Sequence, residues 1–519
     1  MGSDPTADWT LAGVLRDLST ERPDHEAFVS GDRRLTFGGL HARSSRIANA
    51  LINAHVEPGD RVAVLVGNGI EFFEVAFGVS KAGATMVALN WRLSALELAA
   101  ILADARPSLL VVDPEFAAKV PPVNERAAKM QVVTLGPEYE AWLAASRPED
   151  PCVSSAPDDV MLVLYSSGTT GRPKGVMLTN ANLAYIEVMA RELFRMTPDS
   201  VHLVVAPLFH IGGAGTGLTT TTLGGRTIVL TEVKADDVLE TIERERVTHA
   251  FFVPAVIQRL IESPQARERD LSSLRYIAYG GAPMTETLLS RALDTLGCGF
   301  IGCYGMTETA GTVIALPPED HLPDGEAVRL LRSVGKELPW HDVRVVDLLT
   351  AEEAAPGQIG EIWVRSPMNM KGYFNQPDVT ARALTEGGWV RTGDGAYRDE
   401  DGYFYLTDRI KDMIISGGEN IYPAEVENVL SAHPDVAEAA VIGVPHDKWG
   451  ETVKAIVVIR PGGAAQPEKL IAFTRERLAH YKCPTSIDFI AELPRNPSGK
   501  VIKKVLRDTY TQSLTPSAS

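Results

Sequence analysis

Arg61-Val-Ala-Val-Leu-Val-Gly67, then Ile70-Glu-Phe-Phe-Glu-Val-Ala-Phe-Gly-Val-Ser-Lys-Ala82, then Thr85-Met-Val-Ala-Leu-Asn90 decide the fold. The two outer runs are short, β-rich and almost continuously apolar, which predicts buried strands. Between them Phe72, Phe73, Val75, Ala76, Phe77 and Val79 recur at helical spacing, which predicts a helix over 70–82. Residues 94–105 read as a second helix and Ser108-Leu-Leu-Val-Val-Asp113 as a third strand. Strands alternating with helices, with the strands apolar on both faces, imply an α/β fold whose parallel sheet is covered on both sides. The same grammar returns in Thr227–Leu230, Thr248–Val253, Arg275–Tyr279 and Phe300–Cys303, each closed by Gly, Pro or a polar turn.

From about residue 340 the texture changes. Val343-Arg-Val-Val-Asp347 and Gly360-Glu-Ile-Trp-Val-Arg365 alternate in character among many Gly and Pro, which predicts an antiparallel, barrel-like subdomain. A domain boundary is expected at Asp408-Arg-Ile-Lys411. Beyond it a compact α+β pattern follows, with helices over 423–432 and 467–480 and strands over 436–443, 453–459 and 486–490. The expected division is a large N-terminal domain over 1–408, a linker over 409–411 and a small C-terminal domain over 412–519. The tail Thr511–Ser519 reads as disordered.

At 519 residues the chain exceeds one core, which agrees with more than one domain. Apolar residues at 45% and charged residues at 23% fit an ordinary globular protein. Fifty basic against 67 acidic residues give a formal charge of -17, which argues against a nucleic-acid or anionic-membrane binder. Cys152, Cys298, Cys303 and Cys483 form no C-x-x-C pair, so reduced thiols in a cytoplasmic enzyme are expected. No apolar run approaches the length that spans a bilayer. Composition leaves the oligomeric state, monomer or homodimer, open.

One loop carries chemistry on its face. In Tyr165-Ser-Ser-Gly-Thr-Thr-Gly-Arg-Pro-Lys-Gly175 the glycines Gly168, Gly171 and Gly175 let backbone N–H groups approach an anion closely. Ser166, Ser167, Thr169, Thr170 and Lys174 add donors and a positive charge. The loop suits a polyphosphate, yet it is not a Walker A loop, because no Gly-Lys-Ser/Thr ends it. On composition alone a flexible polar loop explains it equally well.

The order of further motifs separates those readings. Pro207-Leu-Phe-His210, Gly280-Gly-Ala-Pro283, Tyr304-Gly-Met-Thr-Glu308, Thr392-Gly-Asp394, Asp408-Arg-Ile-Lys411 with the following Ser416-Gly-Gly-Glu419, and Pro494-Arg-Asn-Pro-Ser-Gly-Lys500 stand in sequence after the loop. Together they resemble the acyl-adenylate-forming superfamily of acyl-CoA synthetases, firefly luciferases and peptide-synthetase adenylation domains, in its acyl-CoA synthetase branch. The resemblance covers about residues 160–500.

Membership of that superfamily would give these residues the following roles by resemblance alone. ATP binds with Mg²⁺, the metal held by Glu308 and the hydroxyl of Ser166, and Thr307 contacts phosphate. The adenine lies on the ring of Tyr304, with Gly280, Gly281, Ala282 and Pro283 as the opposing wall and Gly305 and Met306 beside it. Asp394 accepts the ribose hydroxyls and Arg409 reaches the ribose. Lys500 offsets the charge that builds as carboxylate meets α-phosphate. His210 is an aromatic gate beside the carboxylate. Lys411 is the pivot of a mobile small domain, and Ser416, Gly417 and Gly418 line the thiol's approach.

The implied reaction joins a small-molecule carboxylic acid to coenzyme A through an acyl-adenylate, with release of pyrophosphate and AMP. A free-standing adenylation enzyme serving a carrier protein and a luciferase-like oxygenase are the alternatives. The acid pocket is expected between the His210 loop, the Thr248–Val256 region, Gly280–Gly281 and Gly302–Ala310, with His210, Gly281 and Cys303 as its named residues. These segments are small or apolar and hold no arginine for a second carboxylate, which disfavours malonate and favours a fatty or other apolar acid. Cys303 stands where many relatives have glycine, so it is expected to narrow or redirect the acyl tunnel.

Overall fold

The computed structural model describes residues 8–121, 130–166, 173–282, 284–322, 325–409, 412–416, 419–446, 449–495 and 501–512. Two large sheets dominate. In the seven-stranded sheet the strand order is Gly372–Tyr373, Lys174–Thr179, Val160–Ser166, Thr85–Ala88, Arg61–Leu65, Leu109–Val112 and Gln131–Thr134. Its last five strands run parallel, and Val160–Ser166 pairs antiparallel with Lys174–Thr179. The nine-stranded sheet has a parallel centre, in the order Gly299–Met306, Tyr276–Gly280, His249–Phe252, Val201–Val204, Arg226–Val229 and Glu26–Ser30. Antiparallel strands Gly311–Leu316 and Lys336–Glu337 extend one edge, and Arg33–Thr36 closes the other.

The helix Ile70–Lys81 explains why both sheets are there. Eleven of its residues are buried, and Phe72, Phe73, Val75 and Phe77 share one core with Phe28 and Val204 of the nine-stranded sheet and Val62 and Met86 of the seven-stranded sheet. A helix apolar all round must be enclosed on every side. It carries two charges into that core, and both are paired. Glu74, with no exposed side chain, accepts from Arg43 Nε at 2.8 Å and Tyr139 Oη at 3.0 Å and is also bridged by Arg33. Lys81 Nζ donates to Ser45 Oγ at 2.8 Å and His41 O at 3.0 Å and lies 3.4 Å from Asp150. Arg43, His41 and Ser45 all lie on the helix Phe37–Asn53, started by Thr36, whose hydroxyl accepts from Gly39 N. A second helix, Ala95–Ala105, begins in a capping box: Ser94 Oγ accepts from Glu97 N, and Glu97 Oε2 accepts from Ser94 N.

Residues 342–409 hold the antiparallel subdomain, an open four-stranded sheet with strands Asp342–Val346, Gly360–Arg365, Trp389–Arg398 and Phe404–Arg409 in that order. Gly335, just before the edge strand Lys336–Glu337, joins it to the nine-stranded sheet: Phe404 N donates to Gly335 O at 2.8 Å and Val334 N to Phe404 O at 2.9 Å. At φ +98° and with the Ala315 carbonyl where a Cβ would go, only glycine fits there.

The small C-terminal domain has its own cores, built on strands Val436–His446 and Gly450–Ile459 with Ser486–Phe489 parallel to the latter. Helices Pro423–Ser431 and Pro467–Arg475 lie where the sequence puts them, but the second stops short of 480. Thr474 Oγ1 bonds back to Ile471 O, and Arg477 N closes a tighter turn on Thr474 O. The helix Lys503–Gln512 takes Thr511 and Gln512 out of the expected disordered tail; residues 513–519 lie outside the described residues.

The pairing of Glu74 yields a stability test. Glu74→Ala strips the buried Tyr139 hydroxyl of its acceptor and leaves Arg43 and Arg33 only their outer partners Glu140 and Glu71, a loss of about 1–3 kcal/mol. The exposed pair Arg191–Glu187 serves as the control, and Arg191→Ala should cost no more than about 0.5 kcal/mol. Urea unfolding of the two variants checks both, and similar midpoints would refute the enclosed-helix account.

Candidate active site

The motif residues gather at the carboxyl ends of parallel strands, where open α/β sheets bind their ligands. Ser166 ends Val160–Ser166, Gly280 and Gly281 end Tyr276–Gly280, and Thr307 and Glu308 follow Gly299–Met306. His210 comes shortly after Val201–Val204 and stands at the start of helix Ile211–Thr222.

Tyr304 is 9% exposed, and its hydroxyl donates to Asp394 Oδ2 at 2.8 Å, which brings two motifs ninety residues apart into one contact. Asp394 sits after a turn held from beneath. Gly393 adopts φ +73°, its N–H donates to Glu361 Oε1 at 2.9 Å, and Asp394 N donates to Thr392 Oγ1 at 3.1 Å. Arg409 lies directly opposite Asp394 in the register of their two strands. The Tyr304 backbone is fixed by its neighbour. A Cβ on Gly305 would overlap the Gly311 carbonyl oxygen, so the irregular pairing between Tyr304 and Gly305 needs glycine. Thr309 Oγ1 closes the turn beyond Met306, accepting from Met306 N at 3.2 Å.

Glu308 is 8% exposed, and its Oε1 accepts from Tyr373 Oη at 2.9 Å. Burial and the adjacent Glu308 carboxylate raise the Tyr373 pKa, so this phenol stays a donor. Lys174 Nζ lies 5.1 Å above the Tyr373 ring, and Lys174 pairs with Ser166 across the hairpin that carries the phosphate-type loop. Ser166, Lys174, Tyr373 and Glu308 therefore form one neighbourhood. Gly175 is packed tightly against Tyr165, Val163 and Phe374, which fixes the base of the hairpin.

Tyr373 and Glu361 were not legible as site residues. Each acts on a motif residue from another strand, 65 and 32 positions away, and neither belongs to a glycine-rich or charged cluster that would single it out.

Among the described residues no group of three or more His, Cys, Asp or Glu could hold a metal. A single buried carboxylate beside a lysine and a serine fits Mg²⁺ that arrives largely coordinated by phosphates and water. Ser167, Gly168, Thr169, Thr170, Gly171, Pro283, Lys411, Gly417, Gly418 and Lys500 lie outside the described residues. Ser416 is placed in the small domain, on the strand Ile414–Ser416 opposite Gly450.

His210 packs its ring 4.6 Å from that of Phe209, and its carbonyl accepts from Gly213 N and Ala214 N. Gly213 is forced by the Pro207 carbonyl, which a Cβ would strike. Cys303 lies beside Gly280 in register, and a Cβ at Gly280 would overlap the Cys303 carbonyl oxygen. Burial pushes the Cys303 thiol up to about 12, and that of Cys298 likewise to about 12, so neither is a nucleophile at neutral pH.

Strand ends that collect Tyr304, the Asp394 turn and the Ser166–Lys174 hairpin place the candidate site where open α/β sheets bind their ligands. The chain belongs to the AMP-binding enzyme family: residues 15–374 match that family's model and residues 425–500 match the AMP-binding enzyme C-terminal domain. It is 42% identical to a feruloyl-CoA synthase of Amycolatopsis sp over 489 residues, covering 94% of this chain and 96% of that one. It is 39% identical to the fatty acid–[acyl-carrier-protein] ligase ScoC of Streptomyces coeruleorubidus, with 96% of each chain covered. Its fold superposes on ATP-bound MatB from Rhodopseudomonas palustris with a TM-score of 0.89 at 32% identity, covering 97% of this chain and all of that one. The protein is thus an ATP-using, AMP-forming acid–thiol ligase of the acyl-adenylate-forming superfamily. No helix among the described residues is long and apolar enough to cross a membrane.

Alkylation tests the thiol environments. Iodoacetamide at neutral pH should label exposed Cys152 first, half-buried Cys298 and Cys303 far more slowly because their thiols are held protonated, and buried Cys483 only after denaturation, as read by peptide mass spectrometry. Gly305→Ala should cost about 1–3 kcal/mol by forcing the Gly311 turn away, measured as a lower urea midpoint.

Proposed function

We propose that the chain is an acyl-CoA synthetase for an apolar carboxylic acid, fatty or aryl, using ATP with Mg²⁺ and coenzyme A. The observation that carries the acid class is the apolar lining of a small void, about 10 Å³, between helix Ile211–Thr222 and the nine-stranded sheet. Phe194, Met196, Phe251, Ala278 and Ile301 supply its apolar walls. Helix Ile211–Thr222 leads from His210 to this cavity, so His210 is the gate at its mouth. Cys303 stands two residues from Ile301, on the same face of one strand, and narrows the route between the cavity and Tyr304.

In this reading Tyr304 and the Gly280–Pro283 segment hold adenine, and Asp394 and Arg409 hold ribose. Ser166, Ser167, Gly168, Thr169, Thr170, Gly171, Lys174 and Thr307 hold the phosphates. Glu308, oriented by Tyr373, and Ser166 hold Mg²⁺, which supplies charge neutralisation on the phosphates. The acid carboxylate attacks the α-phosphate and expels pyrophosphate, with Lys500 offsetting the negative charge that builds between them. Residues 409–411 then let the small domain, 412–519, turn about Lys411 so that Ser416, Gly417 and Gly418 border the thiol's approach. Attack of the thiolate on the acyl carbonyl releases AMP.

The similarity to ScoC favours a second acceptor, the phosphopantetheine thiol of a carrier protein. A panel of fatty and aryl acids with ATP and either coenzyme A or a carrier protein decides between them. Acid-dependent pyrophosphate release with thioester on coenzyme A is expected; release with thioester only on the carrier would overturn the acceptor, and no release with any apolar acid would overturn the acid class.

The two half-reactions separate the residues. Lys500→Ala should slow adenylate formation by about a hundredfold or more while sparing thioester formation from pre-made acyl-adenylate. Lys411→Pro should do the reverse by stiffening the pivot. Equal loss in both half-reactions for both variants would refute the turning model. Cys303→Gly should shift the preferred acid towards longer chains, and an unchanged chain-length profile would refute the role of Cys303.

A further inference from the structure

The lining of the cavity is not wholly apolar. His202 and His249 stand side by side there, paired in register on neighbouring parallel strands, with Thr216, Thr219 and Tyr276 around them. Most of these polar groups are already engaged. Thr216 Oγ1 donates to Gly212 O and Thr219 Oγ1 to Gly215 O, both at 2.7 Å. The Tyr276 hydroxyl meets Arg195 Nη1 at 3.4 Å, and Thr248 Oγ1 meets His249 Nδ1 at 2.7 Å. Besides His249 Nε2, which also has no partner among the described residues, His202 is the exception. It is 2% exposed, and neither of its ring nitrogens has a hydrogen-bond partner among the described residues.

A buried polar group without a partner is costly, and native structures rarely keep one that nothing ever satisfies. Burial, reinforced by neighbouring His249, holds the His202 pKa down at about 3, and burial holds that of His249 at about 4. His202 is therefore neutral at neutral pH, with one nitrogen to donate and one to accept. The cavity has about 10 Å³ of room, enough for a single water-sized group. Its position is set by the same elements as the site. Thr216 and Thr219 lie ~9 Å and ~13 Å along the helix from His210, and Ala278 lies ~10 Å down its strand from Gly281.

Resting on the acid pocket proposed above, we propose that His202 is a specificity residue that hydrogen-bonds a hydroxyl group carried at the far end of the acid. The substrate class is then an apolar acid with a terminal hydroxyl, about 10 Å from its carboxylate. Its source is either a phenol on an aryl acid or the ω-hydroxyl of a fatty acid. The hydroxyl both donates and accepts, so it matches the two nitrogens of a neutral imidazole, whereas a methyl or ring C–H leaves both unsatisfied.

Matched pairs test this with the full-length enzyme. Acid-dependent pyrophosphate release is measured for cinnamate against its para-hydroxy derivative, and for octanoate against its ω-hydroxy derivative. The hydroxylated member of one pair should be preferred by about ten- to hundredfold in kcat/KM, and the pair that shows it identifies the source. His202→Phe keeps a ring but removes both nitrogens, so the preference should vanish or invert; His202→Gln, which keeps a donor and an acceptor, should retain part of it. A merely structural histidine would change stability without moving the ratio. If the His202→Phe chain does not fold, the wild-type ratio and His202→Gln still decide. Equal use of both members by the wild-type enzyme, or a ratio untouched by His202→Phe, overturns this inference and leaves the acid pocket standing. Failure of all four acids, while unrelated acids release pyrophosphate, removes the pocket assignment itself.

Discussion

The helix Ile70–Lys81 is the constraint on which the rest of the molecule depends. It has no polar face, so it is stable only where sheets and helices enclose it. The two large sheets accept that burden together, one contributing Phe28 and Val204 and the other Val62 and Met86 to the shared core. Its two charges fix orientation as well as position. Glu74 and Lys81 each find partners on helix Phe37–Asn53, Arg43 for one and Ser45 and His41 for the other. An apolar helix could rotate within its sheath; one with two paired charges on a common neighbour has a single low-energy setting. Replacing Glu74 strips the buried Tyr139 hydroxyl of its acceptor, and replacing Lys81 strips Ser45 Oγ and the His41 carbonyl of a buried donor, each at a cost of about 1–3 kcal/mol.

Much of this was readable in the sequence because the strands are apolar without interruption. Arg61–Leu65, Thr85–Ala88 and Leu109–Val112 are each buried along almost their whole length, so no alternation hides them. The order of motifs carried the family for a related reason: several of them, at Ser166, Gly280 and Thr307, stand at strand ends, and strand order survives in the chain. What escaped were contacts made across the chain. Nothing near Tyr373 marks it as the partner of Glu308, and nothing near Glu361 marks it as the prop beneath Asp394. His202 reads as one more residue in the run Val201-His-Leu-Val204. Only the parallel register, which puts it beside His249 and under helix Ile211–Thr222, shows that its imidazole is enclosed. The over-long helix at 467–480 failed locally instead, where the Thr474 hydroxyl competes for a backbone carbonyl.

The structure also separates two kinds of demand on the same strands. At their carboxyl ends glycine dominates: Gly280 and Gly305 bring backbones together without room for a side chain. About three residues earlier, at Ala278 and Ile301, the strands carry side chains that shape a cavity. The upper layer is intolerant of any added atom, while the lower can change its walls without disturbing the backbone above.

Gly335 has a mechanical consequence. The strand edge there is fused to Phe404 by two backbone hydrogen bonds, with the Ala315 carbonyl filling the space of a side chain. Tyr304 on one sheet and Asp394 on the other are thereby welded into a single frame, like the fixed jaws of a calliper. The gap between ring and carboxylate is set before any ligand enters, so a molecule that fits is measured by the protein and does not reshape it.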